Sequence, residues 1–214
     1  MPYVGNDVVD LMEPANAGKS RDSCFLKKIL TDTEIEFVLN TENPDAALWS
    51  CWAGKETAYK ILKKTFPDAA FLPRQWTVIF KKSQSDISDG EVIIPGKGSV
   101  YIRLFSNSNY VHCVGADVLT ALDKLIWSVD VLPEKRTNPS LFSRHCLAQG
   151  LAKHLLLNFH DIKIKRTRES GELQPPHVYL KGSKTDIDIS LSHDGRFVAY
   201  VVSPAESPFT TFRG

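Results

Sequence analysis

Trp49-Ser-Cys-Trp-Ala-Gly-Lys-Glu-Thr-Ala-Tyr-Lys60 is the stretch on which the reading of this chain turns. At helical period, Trp49, Trp52, Ala53, Glu56 and Lys60 fall on one face of a helix. That stripe is apolar where it begins and charged where it ends. A carboxylate that follows tryptophans onto an inward stripe is costly to bury without a cation or a hydrogen-bond donor. Lys60 stands one turn beyond Glu56, at the i,i+4 spacing where acid and base can meet. Taken alone, the pattern describes an amphipathic helix with one surface salt bridge. What argues for more lies elsewhere in the chain.

The 214 residues suffice for one large domain or two small lobes with a real core. A hydrophobic share of 43% and a charged share of 24% fit an ordinary soluble globular protein. Lys and Arg total 26 against 25 acids, so no global field points to nucleic acid or membrane. Cys24, Cys51, Cys113 and Cys146 are widely separated and form no C-x-x-C pair, which argues for reduced thiols in a cytosol. Met1 to Leu11 lacks the basic start and apolar run of a secretory signal, and no run approaches the ~20 apolar residues of a membrane span. The expectation is a soluble, cytoplasmic protein.

Outward from the central helix, the patterns divide the chain. Tyr3 to Leu11 reads as a short buried strand, with Gly5 allowing close backbone approach and Asp7 and Asp10 unexplained by so apolar a run. Cys24 to Leu30 is helical, and Thr31 or Thr33 can cap a second helix. The central helix runs to about Lys64, and Pro67 ends it. The period then changes to two: a strand over Trp76 to Phe80, a polar loop over Lys81 to Gly90, a short edge strand over Glu91 to Ile94, and strands over Gly98 to Ser106 and Tyr110 to Val118. Asp117 to Val131 is a helix or a connecting arm. Leu141 to Leu157 is amphipathic, Asp161 to Arg168 alternates, and Ile187 to Leu191 and Phe197 to Val202 are strands joined through Ser192-His-Asp-Gly195. Tyr110-Val-His-Cys-Val and Phe197-Val-Ala-Tyr-Val are a faint internal echo. The resulting expectation is an α+β fold of two pseudo-symmetric lobes, each a small, mainly antiparallel sheet packed on a long helix. The lobes cover 1–118 and 140–214, with an arm at 119–139.

Three blocks carry a resemblance: Gly5-Asn-Asp-Val-Val-Asp-Leu11, Trp52-Ala-Gly-Lys-Glu-Thr-Ala-Tyr-Lys60 and Ser190-Leu-Ser-His-Asp-Gly195. Together with the Ile29-Leu-Thr-x-x-Glu34 segment, the chain resembles the 4′-phosphopantetheinyl transferase superfamily in its Gly-x-Asp, Trp-x-x-Lys-Glu-x-x-x-Lys and Ser-His motifs. The block order is that of the small holo-acyl-carrier-protein synthases, but the chain is much longer. It looks like the two lobes of a surfactin-type enzyme in circularly permuted order, which would make a monomer with both termini near one lobe junction. Permutation of this kind is tolerated where native termini lie close together at the surface.

The resemblance implies transfer of a phosphopantetheine arm from coenzyme A to a serine of an apo acyl or peptidyl carrier protein, releasing adenosine 3′,5′-bisphosphate. The carrier is of fatty-acid, polyketide or peptide-synthetase type. By the same resemblance, Asp7 and Glu56 hold Mg²⁺, a cation that takes one or two carboxylates plus substrate phosphate. Lys60 holds phosphate charge as the leaving group departs, and Lys55 either does the same or faces solvent. Glu56, or a water it holds, takes the serine proton. Ser192 and His193, in a tight turn, bind coenzyme A phosphates, and Arg144, Lys135 and Arg136 match basic positions that contact the nucleotide's phosphates. Two departures stand out: Val9 occupies the position of the surfactin-type second acid, so a water completes the metal shell, and Gln174 stands where lysine is common. The competing readings are a catalytically silent carrier-binding module of the same fold and a nucleotide-hydrolysing metal enzyme. The latter would be expected to show a Gly-rich phosphate loop, and none is present.

Overall fold

Among the described residues, strand β1 (Val4–Asp10) pairs on one edge only, and that asymmetry organises the molecule. The computed structural model describes residues 1–81, 86–134, 137–169 and 172–203. After β1 come helices α1 (Ser23–Ile29), α2 (Asp32–Leu39) and α3 (Pro44–Thr65). Strands β2 (Thr77–Phe80), β3 (Ile87–Ile94), β4 (Gly98–Ser106) and β5 (Tyr110–Ala116) then complete an antiparallel sheet of order β1-β5-β4-β3-β2. The second lobe holds β6 (Ile126–Val131), α4 (Pro139–Leu155), β7 (Ile162–Lys165) and the two-residue pair β8 (Arg168–Glu169) and β9 (Glu172–Leu173). It ends with β10 (His177–Leu180), β11 (Ser183–Lys184), β12 (Ile189–Asp194) and β13 (Phe197–Val202). Its strands form antiparallel sheets β12-β13-β6 and β11-β10-β7.

The fold is the two-lobed α+β arrangement that the patterns predict, with two shifts. Residues 87–90, read as loop, belong to β3, which lies between β2 and β4; the edge strand is β2. Val92 and Ile94 of β3 are buried in the core shared with α3, while Ile87 and Ile93 are exposed, and pairing with β2 and β4 carries the strand through its polar start. The 119–139 segment, read as an arm, carries β6, which pairs with β13 along its length. The two echoed segments take equivalent places. Strand β5 is inner between β1 and β4, and β13 is inner between β12 and β6.

Helix α3 is buried over most of its 22 residues because the sheet covers one side and α1 and α2 the other. Asn43 caps it by accepting from the Ala46 amide, and Pro44 sits in its first turn, where an amide would have no helical partner. Thr31 caps α2 in a reciprocal capping box with Glu34. Glu34 does more than cap. Its Oε2 meets Lys55 Nζ at 2.5 Å, and its Oε1 accepts from the Val78 amide at 2.8 Å. Lys55 is fully buried and also donates to the Ile29 carbonyl at 2.9 Å. The expected choices for Lys55, phosphate or solvent, are both replaced by a core position that ties α1, α2, α3 and β2 together. Burial pulls its ammonium below the usual lysine range, and the Glu34 carboxylate opposes that shift.

Removing one partner of a buried pair strands the other charge, so Lys55→Met should cost about 3–5 kcal/mol in urea unfolding. Loss of less than about 1 kcal/mol, the scale of an exposed pair, would contradict this role.

Candidate active site

The strand period of two decides what each residue of β1 can do. Gly5, Asp7 and Val9 face α3. A Cβ on Gly5 would run into the Thr57 carbonyl and Ile61, so glycine is what lets the helix settle on the strand. Val4, Asn6, Val8 and Asp10 face the second lobe: Val4 packs in one apolar cluster with Val201, and Val8 in another with Phe197 and Ala199. The two aspartates, equivalent by composition, therefore have different surroundings.

Asp7 points at α3 and meets Lys60, with Oδ1 2.9 Å from Nζ. Lys60 also donates to the Asn6 carbonyl at 2.8 Å. The i,i+4 pairing of Glu56 with Lys60 is not formed as an ion pair; the lysine reaches across to β1 instead. An ammonium held between the helix and the strand serves Asp7 and a strand-edge carbonyl, whereas turning back to Glu56 would leave both without it. Glu56 is half-buried and accepts no hydrogen bond among the described residues. Burial raises its pKa, the charge of Asp7 adds to the rise, and Lys60 opposes it. Asp7 is likewise raised by burial, against the charge and hydrogen bond of Lys60 and with a further push from Asp194. The charge of Asp7 thus bears on Glu56 and that of Asp194 on Asp7, with one lysine between strand and helix.

Asp10 is the structural aspartate. Burial disfavours its charge, but bidentate contact with Arg196, at 2.7 and 2.8 Å, and the Arg196 and Met12 amides hold it below the usual range. Arg196 belongs to the two-residue loop after Asp194, where Gly195 takes φ 49° against the Asp10 side chain. Ser192 and His193 lie within β12 rather than in the turn, and alternation sends them to opposite faces. Ser192 is buried toward β1, its Oγ accepting from Asn6 Nδ2 at 2.9 Å. His193 is exposed, on the face whose Ile189 packs with α4. Arg144 is carried by α4, on the other side of the β12–β13 sheet from β1, and its Nε is buried without a hydrogen-bond partner among the described residues. Gln174 lies beside Arg166, whose Nε donates to its carbonyl at 3.0 Å. Lys135, Arg136 and Gly171 fall outside the described residues.

The motifs alone miss His112, Asn6 and Asp194. His112 is fully buried with its ring against Phe105 and Trp127, and burial plus the charge of Lys60 push its pKa down to about 3. Its Nε2 lies 3.4 Å from Asn6 Nδ2. Asp194 accepts from the Asp10 amide and Asn16 Nδ2. A cleft of about 550 Å³ exists between α1, α2 and the start of α3, lined by residues such as Leu26, Ile35 and Pro44. Asp45 lines it, but neither Asp7 nor Glu56 does.

Among the described residues, no three His, Cys, Asp or Glu side chains converge as a ready-made metal cage. Asp7 and Glu56 supply two hard oxygen donors, the number Mg²⁺ uses when substrate phosphate and water complete its shell. A cation there would offset the burial that raises both acids and the Asp7 charge that adds to it at Glu56, so the residues present fit such an ion.

A family model described as the 4′-phosphopantetheinyl transferase superfamily matches residues 3–115, more than half of the chain. That span contains β1 and α3; Ser192 and His193 lie beyond it. No curated protein matches the chain.

The raised acids fix a sign. Between its unfolded and folded pKa, each binds more protons in the folded chain, so stability falls as pH rises through that window and levels off above it. Asp7→Asn removes the like charge from Glu56 and should lower the Glu56 pKa in a carboxyl-carbon NMR titration. An unchanged Glu56 midpoint would show that the two acids are not coupled.

Proposed function

The chain belongs to the 4′-phosphopantetheinyl transferase superfamily, and from that premise we propose that it transfers the phosphopantetheine arm of coenzyme A to a serine of an apo acyl or peptidyl carrier protein. The family makes it a transferase of the phosphopantetheinyl type that uses coenzyme A. The finer assignment rests on one observation, the convergence of Asp7, Glu56 and Lys60 where α3 crosses β1.

In this reading the carrier serine Oγ forms a bond to the β-phosphorus of coenzyme A. The bond from that phosphorus to the bridging oxygen breaks, and adenosine 3′,5′-bisphosphate departs. Asp7 and Glu56 would hold Mg²⁺, which when bound neutralises charge on the pyrophosphate oxygens. Glu56, or a water it holds, receives the serine proton. Lys60 uses two of its three donors on Asp7 and the Asn6 carbonyl, which leaves one for a phosphate oxygen. His112 is neutral and enclosed, so it supports Asn6 rather than exchanging protons with substrate. Arg144 and exposed His193, with Lys135 and Arg136, are the candidates for the nucleotide's phosphates. Lys55 is not among them, because Glu34 occupies it. Met1 Sδ lies 3.8 Å from Ser203 Oγ. The permuted lobe order and a monomer that builds the seam within one chain are part of the same proposal. No helix of the described residues is long and apolar enough to cross a membrane, and the proposed setting is the cytoplasm.

The test is intact-mass analysis of apo fatty-acid, polyketide and peptide-synthetase carriers incubated with the protein, coenzyme A and Mg²⁺. At least one should gain the arm, and failure with all three would refute the assignment. Glu56→Gln should lower turnover by about two orders of magnitude or more, the scale of lost acid–base catalysis, at nearly unchanged melting temperature. Asp7→Ala should lower activity and weaken its dependence on Mg²⁺. Lys60→Met should lower turnover and weaken coenzyme A binding in the absence of metal more than Glu56→Gln does. Parent-like turnover in any of the three would remove that residue from the site.

A further inference from the structure

Among the described strands β1 pairs only with β5, so its other edge should be exposed backbone, a state that proteins avoid in an interior. Here side chains meet that edge at Val4, Asn6 and Asp10. Alternate residues of β12 and the residue before it accept from its amides: Asp188 Oδ2 from Val4 at 2.6 Å, Ser190 Oγ from Asn6 at 3.2 Å and Asp194 Oδ2 from Asp10 at 2.9 Å. Two lysines of α3, one turn apart, donate to its carbonyls: Lys60 to Asn6, and Lys64 to Val4 at 2.6 Å. Lys64 is the member that touches both lobes. Its buried ammonium also meets Asp188 at 2.7 Å and the Ile189 carbonyl at 2.9 Å, so all three of its donors are used.

We propose that Lys64, with Asp188, is a positioning pair that sets the register of the second lobe on α3 and thereby the span between the acids of the first lobe and the nucleotide contacts of the second. The claim rests on the proposed reaction for its functional consequence, but not for its geometry. Lys64 touches no substrate in this account. It differs from Lys60 in having no donor left for a phosphate. One helical turn separates a lysine that aligns the lobes from one that meets the pyrophosphate. Coenzyme A would bridge both lobes, whereas adenosine 3′,5′-bisphosphate represents its nucleotide end alone. A slipped seam should therefore weaken the first ligand and spare the second. A general loss of structure would weaken both.

The experiment compares binding of the two ligands to the parent chain, Lys64→Met and Lys64→Arg by calorimetry, with amide exchange followed at Val4 and Asn6. Lys64→Met should weaken coenzyme A about tenfold and adenosine 3′,5′-bisphosphate less than about twofold, and should lower kcat by roughly ten- to a hundredfold through misplacement. Exchange at Val4 and Asn6 should accelerate as their edge loosens. Lys64→Arg, which keeps the charge and several donors, should recover most of the coenzyme A affinity. If Lys64→Met does not fold, Asp188→Asn, which keeps the volume and one acceptor oxygen, takes the same measurements with the same expected direction. Coenzyme A affinity equal to the parent's, or equal weakening of both ligands, would overturn the proposal. A parent chain that binds neither ligand would instead refute the proposed function. Exchange at Val4 and Asn6 would then decide the seam, and unchanged rates in Lys64→Met would overturn it.

Discussion

The free edge of β1 is the constraint on which the rest of the structure depends. A buried strand edge cannot leave its amides and carbonyls unpaired. In this chain the partners are side chains drawn from a helix on one side and from a second lobe on the other. Satisfying that edge does three things together: it joins the lobes, it fixes α3 over the strand, and it brings Lys60 within reach of Asp7. The candidate site follows from a requirement of the fold. Its lysine is held by a backbone carbonyl before any substrate arrives, so the alignment needs no reordering at the moment of reaction.

The same strand separates structural acids from chemical ones. Asp10 is neutralised by Arg196, and its carboxylate is fully engaged. Asp7 shares its lysine with a carbonyl and faces a second acid that accepts no hydrogen bond among the described residues. An arrangement that raises two neighbouring carboxylates works against stability at neutral pH, and it is understandable where a divalent cation and phosphates are to be accommodated. Helix α3 shows the same division among its lysines. Lys55 is consumed by Glu34, Lys64 by the seam, and Lys60 keeps one donor in reserve.

Much of this was legible in the sequence, for identifiable reasons. The apolar run of β1, the proline and threonine signals around α2 and α3, and the Asp194-Gly195 turn are local rules that the structure obeys. Gly5 was readable as a place of close approach because a glycine in a strand has few other uses. What escaped depends on contacts between residues far apart in the chain. Spacing suggested that Lys60 would meet Glu56, but its partner is 53 residues away. Lys55 looked available because lysines are mostly exposed, and only the fold shows Glu34 waiting for it. Ser192 and His193 read as one motif, yet alternation along β12 parts them, and the residue before β12 that matters most to the seam, Asp188, belongs to no motif at all.

The central claim is that β1 and α3 bring Asp7 and Glu56 together to hold a divalent cation beside the pyrophosphate of coenzyme A. Calorimetric titration of coenzyme A with and without Mg²⁺, in the parent and in Glu56→Gln, tests it most directly. The account predicts that Mg²⁺ tightens coenzyme A binding to the parent and has little effect in the variant. The same Mg²⁺ dependence in both proteins would contradict it.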